Sequence, residues 1–485
     1  MRRPLIGLVL VLLPSACAAG NTSEDGAGGS DDDGTVTTNT GAGGDLAPGT
    51  GGTGAAGGEG TGGDGVGGGT TPVELGPPLK VRETAPLVLV DTRGGNLPSC
   101  GTFPHIEGGT RQIVIDLDDC NLGDEAADAV GVIGAVTLRT DSTESLDVRI
   151  RSTDHTTSPP LTVGPLVSRT HGFSTMLGST DRAFVIDVSG SATADVVLEL
   201  TALLVPEASG GSYVHLLDQP LRWYASNPND DGYREPWYRL DTVLEYPVLG
   251  IEDGATGMFG AVHLGPGVWR DTPVSFHMGG ASDDPNANLT TWSTAPSDAH
   301  FPWRYSSVFT VGASNGQVEM RSSSEHEPPY ESGIEPWIDA VGWLSPSAID
   351  GLVYRKLEQP LTATVTTTND ETVRFTTGIP EARGVVGTLV FDLPQWNTPQ
   401  GYRWFHVMVG ATEDTFPGAL GGGLEGPDWM TAALNQNGKV TTRFISRTDE
   451  DGQFVMRHYA FTSGGATGTF YVPTEVHVEF VLTNP

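Results

Sequence analysis

Gly312, Ser314 and Gly316 stand at the G-x-S-x-G spacing with which a serine hydrolase holds its nucleophile on a sharp strand-to-helix turn. Such an elbow needs a helix directly after the turn. Gln317 to Met320 alternate as a strand instead, and Asn-Gly before an alternating run signals a two-residue hairpin, because both positions tolerate positive φ. Ser314 is therefore expected beside a turn, and no catalytic residue is assigned.

Other chemistries find no better footing. The 11 histidines are scattered, with no H-E-x-x-H or closely spaced His and Cys set, and no phosphate-cradling glycine loop opens a helix. Asp283-Asp284 and Glu325 with Glu327 lie in polar, Pro-containing stretches where carboxylates are normally solvated. Asn227 to Gly232 and Asp449 to Gly452 begin like calcium loops, but Tyr238 and Ala460 occupy the twelfth positions where glutamate is required. Ordinary acidic turns are expected there, with no metal and no cofactor.

Binding has stronger support. No tryptophan precedes Trp223, and most of the 10 fall between there and Trp343. Flat apolar rings with a polar edge suit sugar stacking. Trp292, Trp303, Arg304 and Tyr305, joined by Tyr330, are the candidate ligand-binding residues, beside Asp283, Asp284 and Asn288. The competing expectation is that these rings fill cores. A net charge of −34 argues against nucleic acid and against anionic lipid as partners of the folded part. Polysaccharide or cell-wall polymer remains.

Arg2 and Arg3 precede an apolar run from Leu5 to Leu13, which is too short to span a bilayer and reads as an export signal over 1–17. The stretch "PSAC" resembles the lipobox of bacterial lipoproteins, which implies acylation of Cys17, although Pro14 departs from that pattern; simple secretion is the alternative. Residues 18–79 are rich in Gly, Thr, Ala and Asp, nearly devoid of large apolar side chains and without Lys or Arg before Lys80. They are expected to be a disordered linker with a reach of roughly 40 to 45 Å. Cys100 and Cys120, in an exported chain without C-x-x-C spacing, are expected to form a disulfide contributing about 3 kcal/mol.

Beyond Lys80 short alternating or apolar runs are separated by Gly, Pro, Asn and Asp, so the fold class is all-β, with single helical turns near Asp124 to Ala129 and Ser345 to Ile349. A repeat is present. "VGVIGAVTL" (130–138), "TGMFGAVHL" (256–264) and "RGVVGTLVF" (383–391) share one form, and their first glycines, Gly131, Gly257 and Gly384, recur at nearly equal spacing. Each unit closes on a proline, at Pro206, Pro346 and Pro485. Three tandem β-sandwich-like domains are predicted at 80–206, 213–346 and 352–485, with common starts at Asp91, Asp218 and Glu358. On this reading the Asn315-Gly316 hairpin aligns with Asn437-Gly438 in the third unit, and Ser314 with Gln436 and Thr180.

In the first unit "PLVLVDTR", the "GVIGAVTL" strand and the closing "ADVVLEL" resemble a bacterial secreted and cell-wall β-rich repeat with a strand ending in Asp-Thr-Arg. That resemblance covers residues 86–206 and implies a non-catalytic accessory module. Asp91, Thr92 and Arg93 match the motif; Gln219-Pro220 and Gln359-Pro360 replace the Thr-Arg pair in the later units. Its physical reading is structural, a strand-ending Asp accepting turn hydrogen bonds and an Arg pairing with it or a neighbouring strand. The expectation is a non-catalytic cell-surface or secreted protein that binds glycan or cell-wall polymer. The alternatives are a structural spacer without a small ligand and, more distantly, a hydrolase of unrecognised type.

Overall fold

The computed structural model describes residues 47–49 and 73–485, apart from 94–98, 102, 104–108, 141–144, 164–167, 191–192, 226–242, 252–253, 267–273, 283–288, 294–304, 325–333, 368–370, 394–402, 413–429, 434–437 and 463–470. Among the described residues every regular element longer than a 3₁₀ turn is a strand. A short β1 (Ala47–Gly49) is followed by a first unit of β2 (Leu79–Asp91), β3 (Arg111–Asp116), β4 (Gly131–Thr140), β5 (Leu146–Ser152), β6 (Leu161–Val163), β7 (Ser168–Met176), β8 (Ala183–Ser189) and β9 (Ala194–Pro206). The second unit holds β10 (Tyr213–Ala225), β11 (Val243–Pro247), β12 (Gly257–Pro266), β13 (Val274–Gly280), β14 (Thr290–Ser293), β15 (Tyr305–Gly312), β16 (Gln317–Ser324) and β17 (Ile334–Ser345). The third holds β18 (Val353–Thr367), β19 (Thr372–Thr376), β20 (Ala382–Leu393), β21 (Arg403–Gly410), β22 (Met430–Ala433), β23 (Gly438–Arg447), β24 (Gln453–Thr462) and β25 (Val472–Thr483). The all-β expectation therefore holds.

One connectivity is used three times. In the first unit the sheets run β7-β4-β9-β2 and β3-β8-β5-β6, and the second and third repeat both orders with their own strands. Eight antiparallel strands divided in this way have the connectivity of a double-sheet jelly roll. A pairing of Tyr354 with Leu79 joins the first sheets of units one and three into one eight-stranded sheet.

The repeated glycine motif now has a cause. At Gly134, Gly260 and Gly387 a Cβ would lie 2.1, 2.0 and 2.1 Å from the carbonyl oxygens of Glu199, Asp339 and His477, where the neighbouring strand bulges. No side chain fits there. The ring of Phe173, Phe309 or Phe444 stands opposite that glycine on the next strand of each unit. The two apolar residues between the motif glycines split across the sheet: Val132 and Met258 enter their own unit's core, whereas Ile133, Phe259 and Val386 meet in a shared central core. Both faces of the sheet are covered, so the strand reads as continuously apolar. Burial of each such side chain contributes about 1.5–3 kcal/mol.

The shared core arises from a cyclic arrangement. β14 of the second unit packs on β7 of the first, β22 of the third on β15 of the second, and β6 of the first on β23 of the third. β7, β15 and β23 also pack against one another. Three units within one chain thus close a ring, and each pair of neighbours shares a seam.

Two alignments read from the sequence are corrected. The structural counterpart of Pro220 and Pro360 is Pro86, because all three sit in the bulge that shifts register after Glu83, Leu216 and Lys356. Asp91 ends β2, whereas Asp218 and Glu358 lie within that bulge. The turn equivalent to Asn315-Gly316 in the third unit joins β23 to β24 and ends at Gly452, so Gly438 belongs one strand earlier; the counterpart around Thr180 in the first unit does join β7 to β8. Similar Asn-Gly spelling outweighed strand order in the sequence comparison. Part of the expected linker is also structured: Ala47–Gly49 pairs with β19, Leu75 bridges Leu357, and the Gly76 amide donates to the Lys356 carbonyl at 2.8 Å. Of the expected helical turns, Asp124–Ala126 forms a 3₁₀ turn, and Ser345 closes β17 ahead of an ordinary turn.

Candidate functional site

Ser314 lies beside a hairpin turn. Asn315 and Gly316 have φ of 52° and 73°, and Ser314 and Gln317 exchange backbone hydrogen bonds of 3.0 and 2.9 Å. Positive φ at both central residues matches the right-handed twist of β15 and β16. A strand follows the turn, and the nucleophile-elbow geometry is absent.

The candidate aromatic set does not stay together. Trp292, on β14, is 1% exposed and packs between Phe276 and Phe309 in the second unit's core. It is a core residue, which corrects its assignment as a ligand contact. The reason lies in alternation: Trp292 sits opposite Phe276 on β13, and that face of the sheet points into the sandwich. Trp303, Arg304 and Tyr330 lie outside the described residues, and so do Cys17, Asp283, Asp284, Asn288, Glu325, Glu327 and the stretch from Asn227 to Gly232. Tyr305 begins β15, opposite Leu264.

Strand ends show where these positions gather. Ala225 pairs with Trp337, Pro266 with Ile334 and Leu264 with Tyr305, so the end of β10, the end of β12 and the starts of β15 and β17 share one edge of their sheet. In the facing sheet Val243 pairs with Arg321, Val274 with Ser324 and Ser275 with Ser293. Four of the connections between the two sheets of the second unit therefore start and finish at strand ends on one side of the sandwich, and in sequence residues 303 and 304 fall in one of them and residue 330 in another.

The Asp-Thr-Arg triplet is a local staple. Asp91 is buried and accepts from the Arg93 backbone N–H at 2.9 Å and from Nε and a terminal guanidinium nitrogen at 3.0 Å each. Thr92 Oγ1 accepts from the Val196 amide at 2.9 Å, and the Thr92 amide donates to the Val196 carbonyl. These bonds tie the end of β2 to β9. Cys100 and Cys120 are joined as expected, with an S–S distance of 1.97 Å. At the other acidic stretch, Asp449 Oδ1 accepts from the Asp451 and Gln453 amides at 3.1 and 2.7 Å, which is turn chemistry.

Sequence reasoning missed the ionisable groups buried in the seams. Glu199 on β9 accepts from the Thr291 amide of the second unit at 2.9 Å, and burial raises its pKa to about 7 against the opposing hydrogen bonds and Arg93. At the structurally equivalent position Asp339 meets His263 Nε2 at 2.9 Å. In the third unit Glu479 is paired with Arg443, which also reaches Thr388 Oγ1 and, across the seam, Ser174 Oγ at 2.8 Å. Burial holds His277 down to about 4. The visible signal was a charged residue inside an otherwise apolar strand, as in "LELTALL" and "HVEFVL". A cavity of about 640 Å³ in the first unit is walled mainly by Pro77, Leu79, Val130, Met176 and Leu177, with Asp154 and His155 among its polar lining. No group of three or more metal-ligating side chains occurs among the described residues.

No protein-family model and no curated protein matches this chain. Among solved structures, a chain from Sulfolobus Turreted Icosahedral Virus aligns over 84% of this chain and 91% of its own, with 8% identity and a TM-score of 0.18. A chain of the lipid-containing bacteriophage PM2 aligns over 78% and 98%, with 11% identity and a TM-score of 0.15. Bacillus subtilis oxalate decarboxylase aligns over 54% and 77%, with 8% identity and a TM-score of 0.15. Likeness at this level adds nothing to the topology read directly from the sheets.

Proposed function

We propose that this is an exported, non-catalytic binding protein whose second β unit recognises a glycan or cell-wall polymer through residues on the connections at one end of its sandwich. The observation that carries the reading is the shared edge of the strand ends at Ala225, Pro266, Tyr305 and Ile334. In sequence Trp303, Arg304 and Tyr330 fall between strands whose described ends share that edge, and connections on a rigid scaffold are the usual carriers of binding residues, which supports the reading. The second unit spends far more chain there than the first: 294–304 links β14 to β15 where 164–167 suffices between β6 and β7. An N-terminal lipid on Cys17 would anchor such a protein at the cell surface, with simple secretion as the alternative.

The full mature chain is to be tested against polysaccharides and cell-wall polymers, with and without calcium, beside a Trp303→Ala, Tyr330→Ala variant. Binding by the parent and at least tenfold weaker binding by a variant of unchanged stability is the expected result. Absence of binding across the panel, or binding untouched by both substitutions, rejects this site. A spacer without a small ligand is the second reading, favoured by the way all three outer sheet faces are consumed in seams.

A further inference from the structure

Two carboxyl groups lie in the seam between the first and second units with no ion-pair partner among the described residues. Glu83, on β2, accepts from Thr256 Oγ1 at 2.5 Å and from Ser212 Oγ at 3.3 Å, and those two hydroxyls are 2.8 Å apart. Its stem lies against Gly257 and Gly312 of the second unit. Glu199, 4% exposed, takes its cross-seam bond from the Thr291 amide. Thr291 Oγ1 in turn meets His277 Nδ1 at 3.1 Å.

The surroundings supply little positive charge. The Arg93 fork is committed to Asp91, so the two together bring no net charge to the end of β2. β4 places Ala135 opposite Glu199, and β14 offers only Thr290 and Thr291. His277 of β13 is held neutral by burial and by Arg321, which is itself paired with Glu319. On β7, Arg169 and His171 alternate away from Thr170, whose hydroxyl meets Thr137 on the seam side. Around Glu83 the neighbouring elements present glycines and hydroxyls, while Arg82 turns to Asp128 and Lys80 to the Tyr213 ring.

We propose that the seam between the first and second units is a pH-sensitive joint, closed when Glu83 and Glu199 are protonated and loosened when they ionise. Elsewhere on these outer faces Asp339 meets the His263 imidazole and Glu479 is ion-paired with Arg443. Here an ionised carboxylate is met by amides and hydroxyls, and the paired Arg93 and Asp91 act on Glu199 in opposite directions. Burial raises both groups above the ordinary carboxylate range, Glu199 to about 7. The sign follows from linkage: an acid with a raised pKa in the closed state favours closure fully below its exposed value, and that advantage is lost as pH rises toward the closed-state value. Opening is thus expected to increase by up to about tenfold per pH unit for each carboxyl above the ordinary carboxylate range, the Glu199 contribution levelling off near pH 7.

Hydrogen-exchange protection of the full chain, corrected for intrinsic exchange rates, is to be followed from pH 4.5 to 8.5 in the parent, in Glu199→Gln and in the Glu83→Gln, Glu199→Gln double variant. Expected is a fall in protection at β14 and around Thr256 in the parent, weaker in the single variant and absent in the double, with β25 unaffected. PH-independent protection at β14 in the parent overturns the proposal. So does an unchanged response in Glu199→Gln, or a uniform loss across all three units. Glu199→Gln alone decides the matter if the double variant does not fold.

Discussion

The outer faces of the first and third units bury acidic residues at neighbouring positions of the same strand, and they do so with opposite electrostatics. Glu479 in the third unit sits on the bulge of β25 and meets Arg443 from β23, an ion pair whose cation also satisfies Thr388 and Ser174. Glu199 in the first unit lies beside the matching bulge of β9 and meets an amide. The first arrangement sets a cation against the carboxylate; the second sets a backbone amide there. A repeated backbone therefore carries unequal joints, because the seam chemistry depends on which side chain the next unit delivers. Gly172, Val308 and Arg443 occupy one structural position on β7, β15 and β23, each preceding by one the phenylalanine opposite the bulge glycine. The space beside Gly172 is filled by Val308.

The comparison breaks most sharply at Arg443. Arg443→Met leaves Glu479 buried and uncompensated, with an expected loss of about 3–5 kcal/mol in denaturant unfolding; a loss below 1 kcal/mol would show that the two joints are alike. Removal of the Cys100–Cys120 bridge tests the first unit away from its seam. A Cys100→Ser, Cys120→Ser variant is expected to lose about 3 kcal/mol, with protection reduced first in β3 to β8 and β23 to β25 unchanged. The smallest effect is expected at the uncharged part of the first seam, where Thr137 and Thr170 share a buried hydrogen bond of 2.8 Å. Thr170→Val should cost about 1 kcal/mol in thermal or denaturant unfolding without changing its pH dependence. A pH-dependent penalty there would mean that charge is spread over the seam and is not confined to the carboxyls.

Much of the fold was legible because its causes are local. Alternation and turn residues gave the strands, Asn315-Gly316 gave the hairpin, and two cysteines without C-x-x-C spacing, behind an expected export signal, gave the disulfide. The motif glycines gave the repeat, since the bulge beside each leaves no room for a Cβ in any unit. The candidate site was legible only as a list of aromatic residues. Trp292 and Trp303 stand in the same stretch, yet Trp292 lies on the inward face of β14 and is sealed by Phe276 and Phe309. Register decides that, and register is set by pairing with a strand elsewhere in the chain.

By itself, then, the sequence determined the strand class, the period of the repeat and the turn chemistry, all of which rest on residues within a few positions of one another. The tertiary structure alone decided that the three units close a ring, that β7, β15 and β23 meet, and that Glu199 lies beneath an amide 92 residues away. Periodicity states which face of a strand a side chain occupies. What covers that face comes from another unit, and only packing brings the two together.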